Sequence, residues 1–446
     1  MQAQCPGYSA LRVGQILFIG NNKTKERTLR AELDFREGDT LAAATLGRQL
    51  EVNRRRLYNL QLFHQVTTQA VCRNGELTVL FAVQERWYLF PVPILSLADR
   101  NFRSWLNRSD RWRRVDYGLH VTRNNFRGRN EQIIANLQLG FNRKYEVFYE
   151  APGYGRRRRL GLGVGASYYR SHALDYTTER DRLINLRQDD DFPVQRQYVS
   201  AGLRWRQTVQ RLSTFDVSYH NEQIGKTIYQ LNPTYYLGAT QRDYLDFSLS
   251  TTFNQRNTFA YPLTGRFVQL AASQRIFVRG GNPPLTTLYG YYARYIALGH
   301  NFYYSVGLSA QARLARRVAY ADNHSFGYNA LVRGYDQYVV DGRHYGLAQQ
   351  GLTYRLLDLG QLRLNDVANP KVNSIPLVFY LNTFVDAGYV VSRTAALTDS
   401  RLPNRLLTSA GVGLHLVTYY DRVFTVEYTV NGLGQTGFFF RTAFPI

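Results

Sequence analysis

Tyr244-Leu245-Asp246-Phe247-Ser248-Leu249-Ser250-Thr251-Thr252-Phe253-Asn254 alternates apolar and polar side chains from end to end. Successive side chains of a strand point to opposite faces, so Leu245, Phe247 and Leu249 fall on one face and Asp246, Ser248 and Ser250 on the other. The pattern recurs before this stretch, at 115–125, 130–140, 160–170, 198–207 and 212–221, and after it, at 266–277, 287–298 and 302–314. From Tyr88 to the C-terminus about sixteen such segments are separated by Gly, Asn, Asp and Pro. Tilted strands of ~9–11 residues cross a bilayer, and sixteen is the size of a mid-range transmembrane barrel. Connection lengths alternate as well: short at Gly128-Arg129, Val209-Gln210 and Gly299-His300, long at 171–196, 222–242, 315–345 and 389–405. The expected fold is mainly β, a sixteen-stranded antiparallel transmembrane β-barrel, in preference to a soluble sandwich.

Composition narrows the alternatives. With 446 residues, 44% hydrophobic, 34 Tyr and 25 Phe, the chain can bury a core and is not disordered. Its longest apolar run, 375–381, falls well short of the ~20 residues a membrane-spanning helix needs. Two cysteines exclude a disulfide scaffold and a Cys-rich metal domain. The net charge of +22 invites a nucleic-acid reading. Its arginines, however, are spread along the alternating segments, with one dense block at 156–159 in a turn, so no nucleic-acid partner is expected.

Enzyme readings find no support. The eight histidines form no metal-ligand spacing. Gly161-Leu162-Gly163-Val164-Gly165-Ala166 has the letters of a dinucleotide fingerprint without the preceding strand and following helix, and reads better as glycines on one strand face. Asp189-Asp190-Asp191 reads as a solvated loop tip in preference to a cation site. No catalytic residue, cofactor or metal is expected.

The first 90 residues differ from the rest. Residues 13–19 suit a strand and 24–33 a helix; Thr40 is placed to cap a second helix carrying Leu46, Leu50, Leu57 and Leu60. Residues 65–72 and 76–84 flank Asn74-Gly75, a strong hairpin signal. The predicted order is strand, helix, helix, strand, strand. The barrel then opens on Trp87-Tyr88-Leu89-Phe90-Pro91-Val92-Pro93-Ile94, where Pro91 and Pro93 remove two N–H donors from one strand edge. That edge is either a weak closing seam or a plain sheet margin. At the other end Phe438, Phe440, Thr442 and Phe444 share one strand face.

Two stretches carry a family resemblance. Leu331-Val332-Arg333-Gly334-Tyr335-Asp336 lies inside the longest connection, and Thr383-Phe384-Val385-Asp386-Ala387-Gly388-Tyr389-Val390 forms a strand with one acid among apolar neighbours. Val-Arg-Gly-Tyr followed by Phe-x-Asp-x-Gly resembles the surface-antigen superfamily of outer-membrane assembly proteins, which includes BamA, TamA and the two-partner secretion translocators. On that resemblance residues 1–86 form a periplasmic POTRA domain and 87–446 the barrel, with loop 315–345 folded into the lumen. Carried over, Arg333 meets Asp386 on the wall, Gly334 permits the tight tip, Tyr335 packs beside it, and Gly388 belongs to the same motif. Many relatives carry a Glu on the intervening strand; Gly351-Leu352-Thr353-Tyr354 has none, which predicts a weaker lock. Phe438, Phe440 and Phe444 resemble the C-terminal signal of barrel proteins, although Pro445-Ile446 extend past it.

The resemblance implies an outer-membrane protein of a Gram-negative-type bacterium that assists folding and insertion of β-barrel proteins, or else a polypeptide secretion pore, or a passive barrel. Implied partners are the outer-membrane bilayer, unfolded outer-membrane or secreted polypeptides, and accessory assembly proteins. Residues 1–10 are polar with no apolar signal core, so the chain is expected to be a mature form behind an added Met1. Cys5 and Cys72 are candidates for a disulfide in an oxidising periplasm; the sequence leaves open whether they come within range.

Overall fold

The computed structural model describes residues 8–97, 111–154, 158–188, 190–328, 330–363, 374–419 and 422–443. The N-terminal module holds β1 (Ala10–Ile19), α1 (Glu26–Arg30), β2 (Thr40–Ala42), α2 (Leu46–Tyr58), β3 (Phe63–Arg73) and β4 (Glu76–Glu85). Its sheet runs β2-β1-β4-β3, with β1 parallel to β4 and the β3–β4 hairpin turning at Asn74-Gly75, both at positive φ. Leu46, Leu50 and Leu57 of α2 pack on Val13, Ile16, Val79 and Phe81, so the helix stripe and the inner faces of the two central strands make one core. Two expectations are corrected. Thr40 begins β2 instead of capping a helix, because residues 40–42 pair with Ala10–Arg12; α1 covers only one turn of 24–33. Cys72, in β3, is disulfide-bonded, while Cys5 lies outside the described residues.

Sixteen strands follow in one antiparallel sheet that keeps strict chain order. The first is Leu89–Leu97 and the second Val115–Phe126. The fifth to ninth are Leu160–Ser171, Val194–Arg206, Arg211–Ile224, Gln241–Asn254 and Gly265–Arg279. The eleventh to sixteenth are Phe302–Leu314, His344–Arg363, Ser374–Val391, Leu406–Thr418, Arg422–Asn431 and Thr436–Ala443. Alternation sorts the side chains. Leu203, Leu270 and Val278 are about 60% exposed on the outer face, where an apolar band this wide requires lipid. Polar groups point inward. Arg204 there meets Glu150 at 2.6 Å and Asp216 at 2.7 Å. A Cβ on Gly163 would come within 2.6 Å of both Glu150 and Arg204, so this glycine makes room for the ion pair.

Loop lengths are less regular than the sequence suggests. Long connections at one end hold a hairpin (Ala173–Glu179 with Arg182–Arg187), a short helix (Lys226–Leu231) and residues 315–343 and 392–405. Yet 280–284 and 432–435 at that same end are short. The N-terminal module sits at the opposite end. Lys25 N–H donates to Gly128 O at 2.9 Å, Arg206 pairs with Glu32, and Asn59 Nδ2 donates to the carbonyls of Arg256 and Asn257. Of the basic block, Arg156 and Arg157 lie outside the described residues; Arg158 is buried against Thr28 and the Arg129 carbonyl. Asp189 also lies outside them, and Asp190 and Asp191 are exposed.

Candidate functional site: the in-folded connection and the seam

Residues 315–343 do not stay outside the barrel. Phe326, Ala330, Val332 and Tyr335 pack with Leu347, Val390, Leu402 and Leu407, which draws the connection against the inner wall. Gly388 makes this possible: a Cβ there would lie 2.5 Å from Val332 Cγ2 and 2.7 Å from Phe326. Val332 is fully buried, so the next residue is delivered into the lumen.

That residue is Arg333. Its Nε and Nη2 donate to the two oxygens of Asp386 at 2.8 and 2.6 Å, and its backbone N–H adds a third bond at 3.1 Å. Asp386 is 0% exposed on the thirteenth strand, and a carboxylate so placed costs several kcal/mol unless it is paired and hydrogen-bonded. The bidentate fork answers that cost, and Gln349 Nε2 on the twelfth strand adds a bond at 3.1 Å. The guanidinium also lies 3.6 Å over the Phe384 ring, from two residues earlier on the Asp386 strand.

The tip is held equally closely. Gly334 has φ +86, the left-handed region that favours glycine, and its carbonyl accepts from Asn431 Nδ2 at 2.9 Å. Tyr335 is buried; its hydroxyl accepts from Gly432 N–H at 3.1 Å and donates to Thr408 O at 3.4 Å.

Sequence reasoning missed a second carboxylate. No acid stands at 351–354, but Glu427 of the fifteenth strand reaches Arg333 Nη1 at 3.4 Å. Glu427 also takes Arg441 of the last strand, which in turn holds Asp336 at 2.6 Å. The signal was present: Thr425, Glu427, Thr429 and Asn431 occupy one face of a strand whose other face is Phe424, Val426, Tyr428 and Val430. Tyr261 was not recoverable. It comes from the aperiodic connection 255–264 at the N-terminal module's end, and bonds His415 Nδ1 at 2.8 Å, whose other nitrogen lies 3.5 Å from Glu427.

The seam is the other feature. Among the described residues, the first and last strands are the two edges of the sheet and no ladder joins them. Antiparallel pairs alternate between bonded and non-bonded. Asn124 N–H donates to Tyr88 O, and the register continues through Leu89–Arg123 and Phe90–Thr122. Phe90, Val92 and Ile94 therefore belong to the bonded set, while Pro91 and Pro93 point to the free edge. Phe438 and Phe440 are 77% and 66% exposed on the last strand's outer face; Phe444 lies outside the described residues.

Comparison with known proteins places this geometry. Residues 125–418 match the Omp85 superfamily domain, and residues 11–86 match the POTRA family, described as a surface antigen variable number repeat. BamA from Haemophilus ducreyi lacking POTRA domains 1-3 shares 15% identity at TM-score 0.54, over 97% of this chain and 85% of that one. CdiB from Escherichia coli shares 12% at TM-score 0.56, over 97% and 76%. CdiB from Acinetobacter baumannii shares 16% at TM-score 0.50, over 96% and 73%. No curated protein matches the chain in sequence.

Proposed function

The chain belongs to the Omp85 superfamily, a BamA/TamA-type outer-membrane barrel with a POTRA domain, and from that premise we propose that it assists folding and insertion of β-barrel proteins. The observation that carries this reading is the seam. Among the described residues the first strand has no ladder to the last and carries two prolines on its free edge, so that edge is open to pairing with another strand. Unsatisfied groups in lipid cost several kcal/mol each, so a client strand docking there removes a penalty. The barrel lowers the kinetic barrier by offering that edge beside a locally distorted bilayer.

On this reading residues 1–86 are the periplasmic domain and 87–446 the barrel with its in-folded loop. The POTRA domain lies at the end where an unfolded client arrives, and its sheet edges suit β-augmentation. Arg333 with Asp386, Gly334, Tyr335 and Gly388 holds the loop in the lumen. Clients are unfolded outer-membrane polypeptides, with accessory assembly proteins as further partners. The role requires no nucleotide or metal.

The test uses purified protein in liposomes with an unfolded β-barrel client, followed by gel shift, against protein-free liposomes. The expected result is acceleration, with client crosslinks at Leu95, on the outer face of the first strand. Crosslinks confined to lumen positions would move the assignment to polypeptide export with the loop as a plug. Steady ion conductance with neither acceleration nor crosslinks would leave a passive barrel.

A further inference from the structure

Arg333 and Asp336, which hold Asp386, Glu427 and Arg441, anchor one end of the in-folded connection, and a further charged anchor lies at its other end. Asp322, in the short turn Tyr320–Asp322, is 8% exposed. It accepts from Arg242 Nη1 at 2.5 Å and Nη2 at 3.1 Å, on the eighth strand, and from Arg275 Nη1 at 2.8 Å, on the ninth. The wall side is itself built for this. Arg242 is almost fully buried, lies 4.1 Å over the Tyr236 ring, and gives its Nε to Glu222 of the seventh strand; Arg275 also holds Asp246. Without Asp322 each arginine would keep one acid, and Arg242 would lose two of its three ion-pair hydrogen bonds in a buried place.

The placement of the two anchors matters as much as their strength. The connection is covalently attached to the eleventh and twelfth strands. Asp322 reaches back to the eighth and ninth, and Arg333 reaches forward to the thirteenth and fifteenth. Between these points its apolar side chains are packed, so the span is not slack.

We propose that residues 315–343 form a two-ended strut that ties the eighth and ninth strands to the thirteenth and fifteenth, with Asp322 as the anchor opposite Arg333. Asp336, held by Arg441, carries the tied arc to the last strand itself, so the strut fixes one lip of the seam and leaves the first strand as the moving lip. This goes beyond the insertion reading, since a strut would set the seam in a secretion pore as well, and its test involves no client.

Spin labels on Leu95→Cys and Phe440→Cys, both on the lipid face, report the seam distance in the full-length protein in liposomes. Asp322→Asn is expected to lengthen or broaden that distribution as Arg333→Ala does, and the double variant to add little beyond either. An unchanged distribution in Asp322→Asn beside a changed one in Arg333→Ala would overturn the strut, and so would a strictly additive double variant. Should Asp322→Asn give no heat-modifiable barrel, Arg275→Gln keeps the Arg242 fork and carries the same comparison. A distribution identical to the parent's in Arg275→Gln would then overturn it.

Discussion

Glu427 Oε1 stands 3.4 Å from Arg333 Nη1, so the loop guanidinium is shared between carboxylates on the thirteenth and fifteenth strands. Asp386 supplies the tight bidentate contact and Glu427 the longer one, tied in turn to Arg441 of the last strand. Removing one partner of a buried pair costs about 3–5 kcal/mol, because the other charge is left behind. Arg333→Ala is therefore expected to leave a folded barrel, held by its fifteen ladders, but to free the loop. Limited proteolysis checks this: residues 315–345 should be cut faster, and unchanged sensitivity would sink the lock. Glu427→Gln should have a smaller effect. The two changes together should be non-additive by roughly 0.5–3 kcal/mol, as residues in one network are.

Gly388→Ala tests the packing beneath the lock without touching a charge. The added methyl would meet Val332 and Phe326 at under 3 Å, and both are buried. Overpacking typically costs about 1–3 kcal/mol. Faster cutting within 315–345, with the heat-modifiable gel band retained, is the expected outcome; parental proteolysis would mean that the loop absorbs the methyl.

Tyr261→Phe removes one hydroxyl and keeps the ring, which lies tilted against Tyr380 at 4.6 Å between centroids. His415 Nδ1 would lose its partner, and a buried polar atom left so costs about 1–3 kcal/mol. Connection 255–264 touches Asn59, the residue that ends α2, and the lock network through Tyr261. The substitution should lower the midpoint of thermal gel-shift unfolding, and a midpoint equal to the parent's would make the contact incidental.

Pro91→Ala with Pro93→Ala restores two N–H donors on the free edge of the first strand. At about 1 kcal/mol net per hydrogen bond, closure against the last strand should gain about 2 kcal/mol. The thermal midpoint of the barrel should rise and client folding should slow. A rise without slower client folding would separate the seam from the activity.

How much the sequence determined follows from what alternation encodes. Strand 302–314 was legible to the residue, and Phe424, Val426, Tyr428 and Val430 opposite Thr425, Glu427, Thr429 and Asn431 state which face meets lipid. A barrel of sixteen strands was readable because period-two patterning is local in the chain, whereas the POTRA module and the meeting of Arg333 with Asp386 were expected only through the family resemblance that two short motifs carry. Thr40 was misread because three residues carry too little pattern to distinguish a helix cap from a short strand paired with Ala10–Arg12. The partnership of Arg333 with Glu427, of Tyr261 with His415 and of Asp322 with Arg242 had no local signature. These residues lie 80 to 154 positions apart, and only closure of the sheet around the lumen brings them into range. Alternation fixes which way a side chain points; which opposing side chain it finds depends on register and curvature summed over the wall, and that the tertiary structure alone decides.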